Sequence, residues 1–97
     1  MIYEWDETKR QANLEKHGLD FISAVLVLES PYRMEIATRR QDEARLQIFA
    51  YVFDVLAVLT VVVTKDAKPT RIISFRKASR EEKEAYYDWL EVNNHDH

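Results

Sequence analysis

Val55-Leu56-Ala57-Val58-Leu59-Thr60-Val61-Val62-Val63-Thr64 is a β-branched, almost wholly apolar run of strand length, interrupted by Thr60. Such side chains lose rotamer freedom in a helix and pack well on a pleated surface, so the run reads as the most buried strand of a sheet. It is far too short to span a membrane. Beyond it, residues 66–69 read as a turn and Arg71-Ile72-Ile73-Ser74-Phe75-Arg76-Lys77 as the last strand. Strict alternation puts Ile72, Ser74 and Arg76 on one face and Arg71, Ile73, Phe75 and Lys77 on the other. Before it, Leu46, Ile48, Ala50 and Val52 alternate with Arg45, Gln47, Phe49, Tyr51 and Phe53, and Met34 and Ile36 alternate with Arg33, Glu35 and Ala37. Asp54 and the charged residues 39–43 mark the breaks. Strands joined by such short turns are most simply antiparallel.

Helical signals flank this region. Asp6 is placed to cap a first helix, with Glu7 favourable at its positive end. That helix runs through Lys9, Asn13 and Leu14 to Gly18, the single glycine of the chain and a natural left-handed C-cap. Asp20 caps a second helix with Phe21, Ala24, Val25 and Leu28 on its apolar face, ended by Ser30-Pro31. Ser79-Arg80-Glu81-Glu82 is a capping box that starts a last helix, with Ala85, Tyr86, Trp89 and Leu90 facing the sheet. The expected architecture is one α+β domain over residues 1–92: two N-terminal helices, a four-stranded antiparallel sheet and a C-terminal helix. Residues 93–97 form a polar tail, whose His95 and His97 resemble a metal pair only superficially.

The chain has 97 residues, 46% of them hydrophobic, which fits a single globular domain with a small core. A permanent partner that adds buried surface is therefore expected. Cysteine is absent, which excludes disulfides and thiolate metal sites. The start, MIYEWDETKR, has no apolar run behind a basic one, so a cytoplasmic protein is expected. The net charge of −3 argues against a protein that coats long DNA. Within residues 64–83, however, seven basic side chains (Lys65, Lys68, Arg71, Arg76, Lys77, Arg80, Lys83) outnumber three acidic ones. That local field could hold one anionic ligand.

No phosphate-binding loop, dinucleotide fingerprint, nucleophile elbow or zinc-protease motif is present. The residues left for chemistry are Lys16-His17-Gly18, Asp42-Glu43-Ala44-Arg45 and the last strand. His17 ends a helix, where the negative dipole end should raise its proton affinity and suit it to general-acid work. The alternative is a cap on helical carbonyls. Arg71 and Arg76 differ by five residues, so an ideal strand separates them unless it is bulged. The alternative there is an edge strand protected by charge. Glu43 and Arg45 also read as a surface ion pair, and Tyr86 and Trp89 as core.

Taken in order, Trp5-Asp6-Glu7, Lys9, Asn13, Lys16-His17-Gly18, Asp20-Phe21, Ala24, Glu43-x-Arg45, residues 61–64, Arg71-Ile72-Ile73-Ser74-x-Arg76 and Ala78 resemble the BrnT toxin family. The resemblance implies a metal-independent RNA endonuclease of a bacterial type II toxin–antitoxin system with a RelE-like fold. It also implies neutralisation by a BrnA-like antitoxin and autoregulation on operator DNA through the complex. Catalytic roles fall to His17, Glu43, Arg45 and Arg76, and RNA binding to Lys16, Arg71, Lys77 and Arg80, with neither metal nor cofactor. Phe49-Ala50-Tyr51 stands where family members tend to have a glycine, and Phe75 fills a slot that is usually small. Both changes are expected to add bulk near the site. A second reading is a catalytically weak module that binds its antitoxin and sits on operator DNA. A DNA-binding regulator acting alone is disfavoured, because no helix-turn-helix with a basic recognition helix is evident.

Overall fold

A computed structural model describes residues 3–62 and 70–94. The expected turn at residues 66–69, Lys65, Lys68, His95 and His97 lie outside the described residues. Strands β1 (Tyr3–Glu4), β2 (Met34–Arg40), β3 (Glu43–Val52), β4 (Val55–Val62) and β5 (Thr70–Lys77) form one sheet in the order β1-β5-β4-β3-β2. Helix α1 spans Glu7–His17, α2 spans Val25–Leu28 and α3 spans Arg80–Asn94.

Two expectations need correction. The sheet is five-stranded and mixed, not four-stranded and antiparallel. Tyr3 and Glu4 pair in parallel with Thr70 and Arg71 of β5. Two residues are too few to show an alternation, so this strand left no periodic signal. The second N-terminal helix is a 3-10 turn, Phe21–Ala24, passing into the single α turn of α2. Its buried residues are Phe21, Ala24 and Val27, spaced by three, whereas Val25 is exposed. Phe21, Ala24 and Leu28 meet the core as expected, and the three-residue repeat of the 3-10 turn puts Val27 inside in place of Val25.

The remaining caps and turns follow from local chemistry. The Asp6 carboxylate accepts from the Lys9 amide at 3.1 Å. Gly18 takes φ +72° and closes α1 with its amide on the Leu14 carbonyl. A Cβ there would meet nothing within 4 Å, so the demand for glycine comes from the left-handed backbone alone. The β2–β3 and β3–β4 hairpins each turn on two residues with positive φ, Gln41-Asp42 and Phe53-Asp54, the I′ pattern that matches strand twist. Ser79 and Glu82 form the reciprocal capping box, at 2.8 and 3.2 Å. Helix α3 continues through Asn93 and Asn94, two residues read from sequence as tail.

Core layers lie on both faces of the sheet. Phe21, Ala24 and Val27 pack with Ile48, Leu59, Val61, Ile72 and Phe75 on one face. On the other, Tyr86 of α3 packs with Met34, Phe49, Leu56 and Val58, backed by the half-buried Trp89 and Leu90. Strand β4 lies between both layers and is buried almost throughout.

Candidate functional site

The register of β5 decides which side chains meet. Ser74 pairs with Thr60, but Ile72 pairs with Val61, so Ile73 is an extra residue opposite a break in the ladder. This bulge brings Ile72 and Phe75, three residues apart, into the same core layer. It equally returns Arg71 and Arg76 to one face. The strict alternation expected from sequence fails here, and the exception it allowed is what the chain adopts.

That face carries three successive cross-strand rows. Phe49, Val58 and Arg76 form the first, beside the N-terminus of α3. Gln47, Thr60 and Ser74 form the second, and Arg45, Val62 and Arg71 the third. The bases of Arg76 and Arg71 stand roughly 13 Å apart, four residue steps along β4.

Each arginine has a carboxylate partner. Glu43 accepts from Arg45 at 3.0 Å and from Arg71 at 3.4 Å. Arg76 reaches both oxygens of Glu82, at 2.7 and 2.9 Å. That guanidinium, followed by the Ser79 amide, holds the Glu82 carboxyl down to about 2, while Arg76 is itself pushed up by the same contact.

His17 ends α1 on the side that faces β5. Partial burial, the neighbouring Lys16 and then Arg76 hold its proton affinity below the ordinary imidazole value. This reverses the direction expected from the helix dipole: desolvation and two nearby cations outweigh a dipole end screened by solvent. The shift favours the neutral imidazole, which offers a nitrogen lone pair.

Among the sequence-selected residues, Glu43, Arg45, Arg71 and Arg76 share one face, and His17, preceded by Lys16, lies near enough to Arg76 to feel its charge. Lys77 lies on the opposite face, in the row of Ala50 and Ala57. Arg80 projects into solvent from the first turn of α3, 3.8 Å from Glu84. Phe75 also points away from this face and is completely buried beneath the N-terminal half of the chain, so its bulk fills core instead of the site. Ala50 faces the same way, while Phe49 lies under α3. Tyr51, Tyr86 and Tyr87 cluster by α3, past Phe49 from the arginine rows. The hydroxyls of Tyr51 and Tyr87 hydrogen-bond, and Tyr51 is pushed up to about 12.

Two contributors escaped the sequence reading. Glu82 was legible only as a cap, since nothing local couples it to Arg76. Thr60, the one buried polar residue among the described ones, was visible as the sole interruption of the β4 run. Among the described residues, no group of three or more His, Asp or Glu side chains could hold a metal ion.

No curated protein matches the chain. A family profile described as "Ribonuclease toxin, BrnT, of type II toxin-antitoxin system" matches residues 5–82, from Trp5 just before the cap of α1 to Glu82 on Arg76. The match takes in the His17 helix end, the Glu43–Arg45 pair and the bulged β5, and the chain belongs to the BrnT family of ribonuclease toxins of type II toxin–antitoxin systems.

Proposed function

We propose that this toxin cleaves RNA without a metal, using the substrate's own 2′-hydroxyl as nucleophile. The observation that carries the reading is the β5 bulge, which sets Arg71 and Arg76 on one face with Glu43 and Arg45, while His17 at the end of α1 feels the charge of Arg76. The 2′-oxygen attacks the adjacent phosphorus and the bond to the 5′-oxygen breaks. The products are a cyclic phosphate and a 5′-hydroxyl.

Neutral His17 takes the proton of the 2′-hydroxyl, and the departing 5′-oxygen takes one from water. Arg76, adjacent to that base, meets the charge that grows on the phosphate oxygens, the role a metal would otherwise serve. Its planar fork suits two oxygens at once, as its present hold on Glu82 illustrates. Glu43, bound by Arg45 and Arg71, anchors the second cationic row instead of acting as base. Lys16 and Arg71 contact flanking phosphates. Arg80 and Lys77, which project elsewhere, take no part in the reacting centre.

A BrnA-like antitoxin neutralises the toxin by covering the β5 face, and the complex represses its own operator in the cytoplasm. Among the described residues, no helix is long and apolar enough to cross a membrane. The second reading, a weak catalyst that works through its antitoxin on DNA, draws on one observation: Arg45, Arg71 and Arg76 all hold carboxylates already.

Incubating purified toxin with RNA in excess chelator separates the two readings. Cleavage to cyclic-phosphate ends supports the first. Intact RNA under chelator, with cleavage restored by magnesium, overturns metal independence. RNA left intact under every condition favours the second.

A further inference from the structure

Helix α1 contributes no buried residue. Its side toward β5 consists of Arg10, Asn13 and His17, half-buried and spaced by a helical turn. Arg10 is occupied by Glu7 and Asp20, both outside β5. Asn13 behaves differently. Its Oδ1 accepts from the Phe75 amide at 3.1 Å, and its Nδ2 donates to the Phe75 carbonyl at 2.7 Å. The same Nδ2 donates to the Leu19 carbonyl at 3.0 Å, just past the Gly18 corner. One side-chain amide thus imitates a neighbouring strand along the flank of β5 beyond the two residues that β1 covers.

We propose that Asn13 is a positioning residue that sets the placement of His17 relative to Arg76. Phe75, which it grips, precedes Arg76 and is locked in the core by its ring. His17 follows Asn13 by one helical turn on the same side. The clamp therefore joins the strand that carries the cation to the helix that carries the imidazole. No side chain of α1 belongs to either core cluster or packs against one to fix that register instead. The catalytic consequence rests on the ribonuclease reading; the placement itself does not.

The test is an NMR titration of the His17 imidazole in four folded proteins: wild type, Arg76→Gln, Asn13→Ala and the double variant. The charged groups that act on His17 are Lys16 on its own helix and Arg76 on β5. With the clamp intact, Arg76→Gln should raise His17's proton affinity. In the Asn13→Ala background the same change should raise it less. An equal rise in both backgrounds overturns the proposal, whatever the fate of RNA.

Asn13→Asp, which keeps the acceptor for the Phe75 amide but turns oxygen toward two carbonyls, serves as a second variant for the same cycle. In wild type, the Asn13 side-chain amide protons should exchange slowly with solvent, and exchange at the rate of an exposed asparagine overturns the clamp without any variant. If RNA is cleaved, Asn13→Ala should lower kcat roughly 10- to 100-fold with little change in KM, as small misplacements do. A matched fall in both cycle and kcat supports the proposal; an intact cycle with no cleavage in wild type counts against the ribonuclease reading alone.

Discussion

Arg76 and Glu82 meet through two parallel hydrogen bonds, and the oxygen that takes the shorter one also accepts the Ser79 amide at 2.8 Å. One carboxylate therefore caps α3 and aims the guanidinium that the proposed reaction needs. A substrate phosphate approaching Arg76 competes with that carboxylate or rides on the guanidinium edge it leaves open. The pair also makes the start of α3 sensitive to acid.

Glu82 stays ionised in the folded protein down to about 2, against an ordinary value of 4.5. Below 4.5 the unfolded chain takes up a proton that the folded one refuses, so this stabilisation is lost as pH falls from 4.5 toward 2. Glu82→Gln should cost about 1 kcal/mol at pH 7, the usual scale for a cap and a partly exposed ion pair. Urea midpoints at pH 7 and pH 3 check it: the gap between wild type and variant should narrow at pH 3.

With neutral His17 as base, the cleavage rate should rise with pH and level off, the midpoint falling below the ordinary 6.5 of an imidazole. His17→Ala should lower the plateau by roughly 10²–10⁴-fold, the usual worth of a general base. A pH–rate profile on a short RNA reads both. A wild-type profile flat from pH 5 to 8 would remove His17 from the mechanism.

Replacing Arg76 by alanine should slow cleavage roughly 10²–10³-fold if it bears on the transition-state phosphate. Arg76→Lys should recover little, because an ammonium cannot present two parallel donors. Single-turnover rates on folded variants decide the matter, and wild-type rates in Arg76→Ala would leave it a surface charge. The same assay gives Lys77→Ala a rate close to wild type, since that side chain lies on the opposite face.

Phe53 and Asp54 both hold positive φ in a turn that favours Asn-Gly, and Phe53 is 67% exposed. Changing the pair to that dipeptide should stabilise the fold by about 0.5–1 kcal/mol through relief of backbone strain. Gly18→Ala should destabilise it by about 1–2 kcal/mol, because a left-handed alanine is strained even where its methyl has room. Thermal melts of the two variants should shift in opposite directions.

RNA and antitoxin should exclude one another if an antitoxin segment lies over Arg71 and Arg76. Raised salt should weaken RNA more than antitoxin, since phosphate contacts give way to counterions and apolar contacts do not. Titrating antitoxin into toxin bound to labelled, non-cleavable RNA measures this. A stable ternary complex would rule out occlusion.

Much of the fold was legible because its signals are local. The Asp6 and Ser79 caps, the Gly18 stop and the β-branched β4 run each need only a few neighbours to read. What stayed hidden depends on contacts distant in sequence. A two-residue β1 has no period of its own; it exists because β5 offers Thr70 and Arg71 as partners. The bulge at Ile73 appears only when β5 is laid against β4, and with it the shared face of Arg71 and Arg76. The Arg76–Glu82 pair crosses the β5–α3 corner, and the proton affinity of His17 is lowered by burial first and Lys16 next, with Arg76, 59 residues further along the chain, adding to them.

The hydrogen-bonded seat of α1 has a thermodynamic corollary. Heat capacity and denaturant slope both scale with the surface an opening exposes. No side chain of α1 is fully buried, so lifting it off β5 should expose much less apolar area than global unfolding, and calorimetry and urea curves should register it only weakly. Amide exchange would register it: α1 protons should be released by a local opening indifferent to dilute urea, while those of β4 wait for global unfolding.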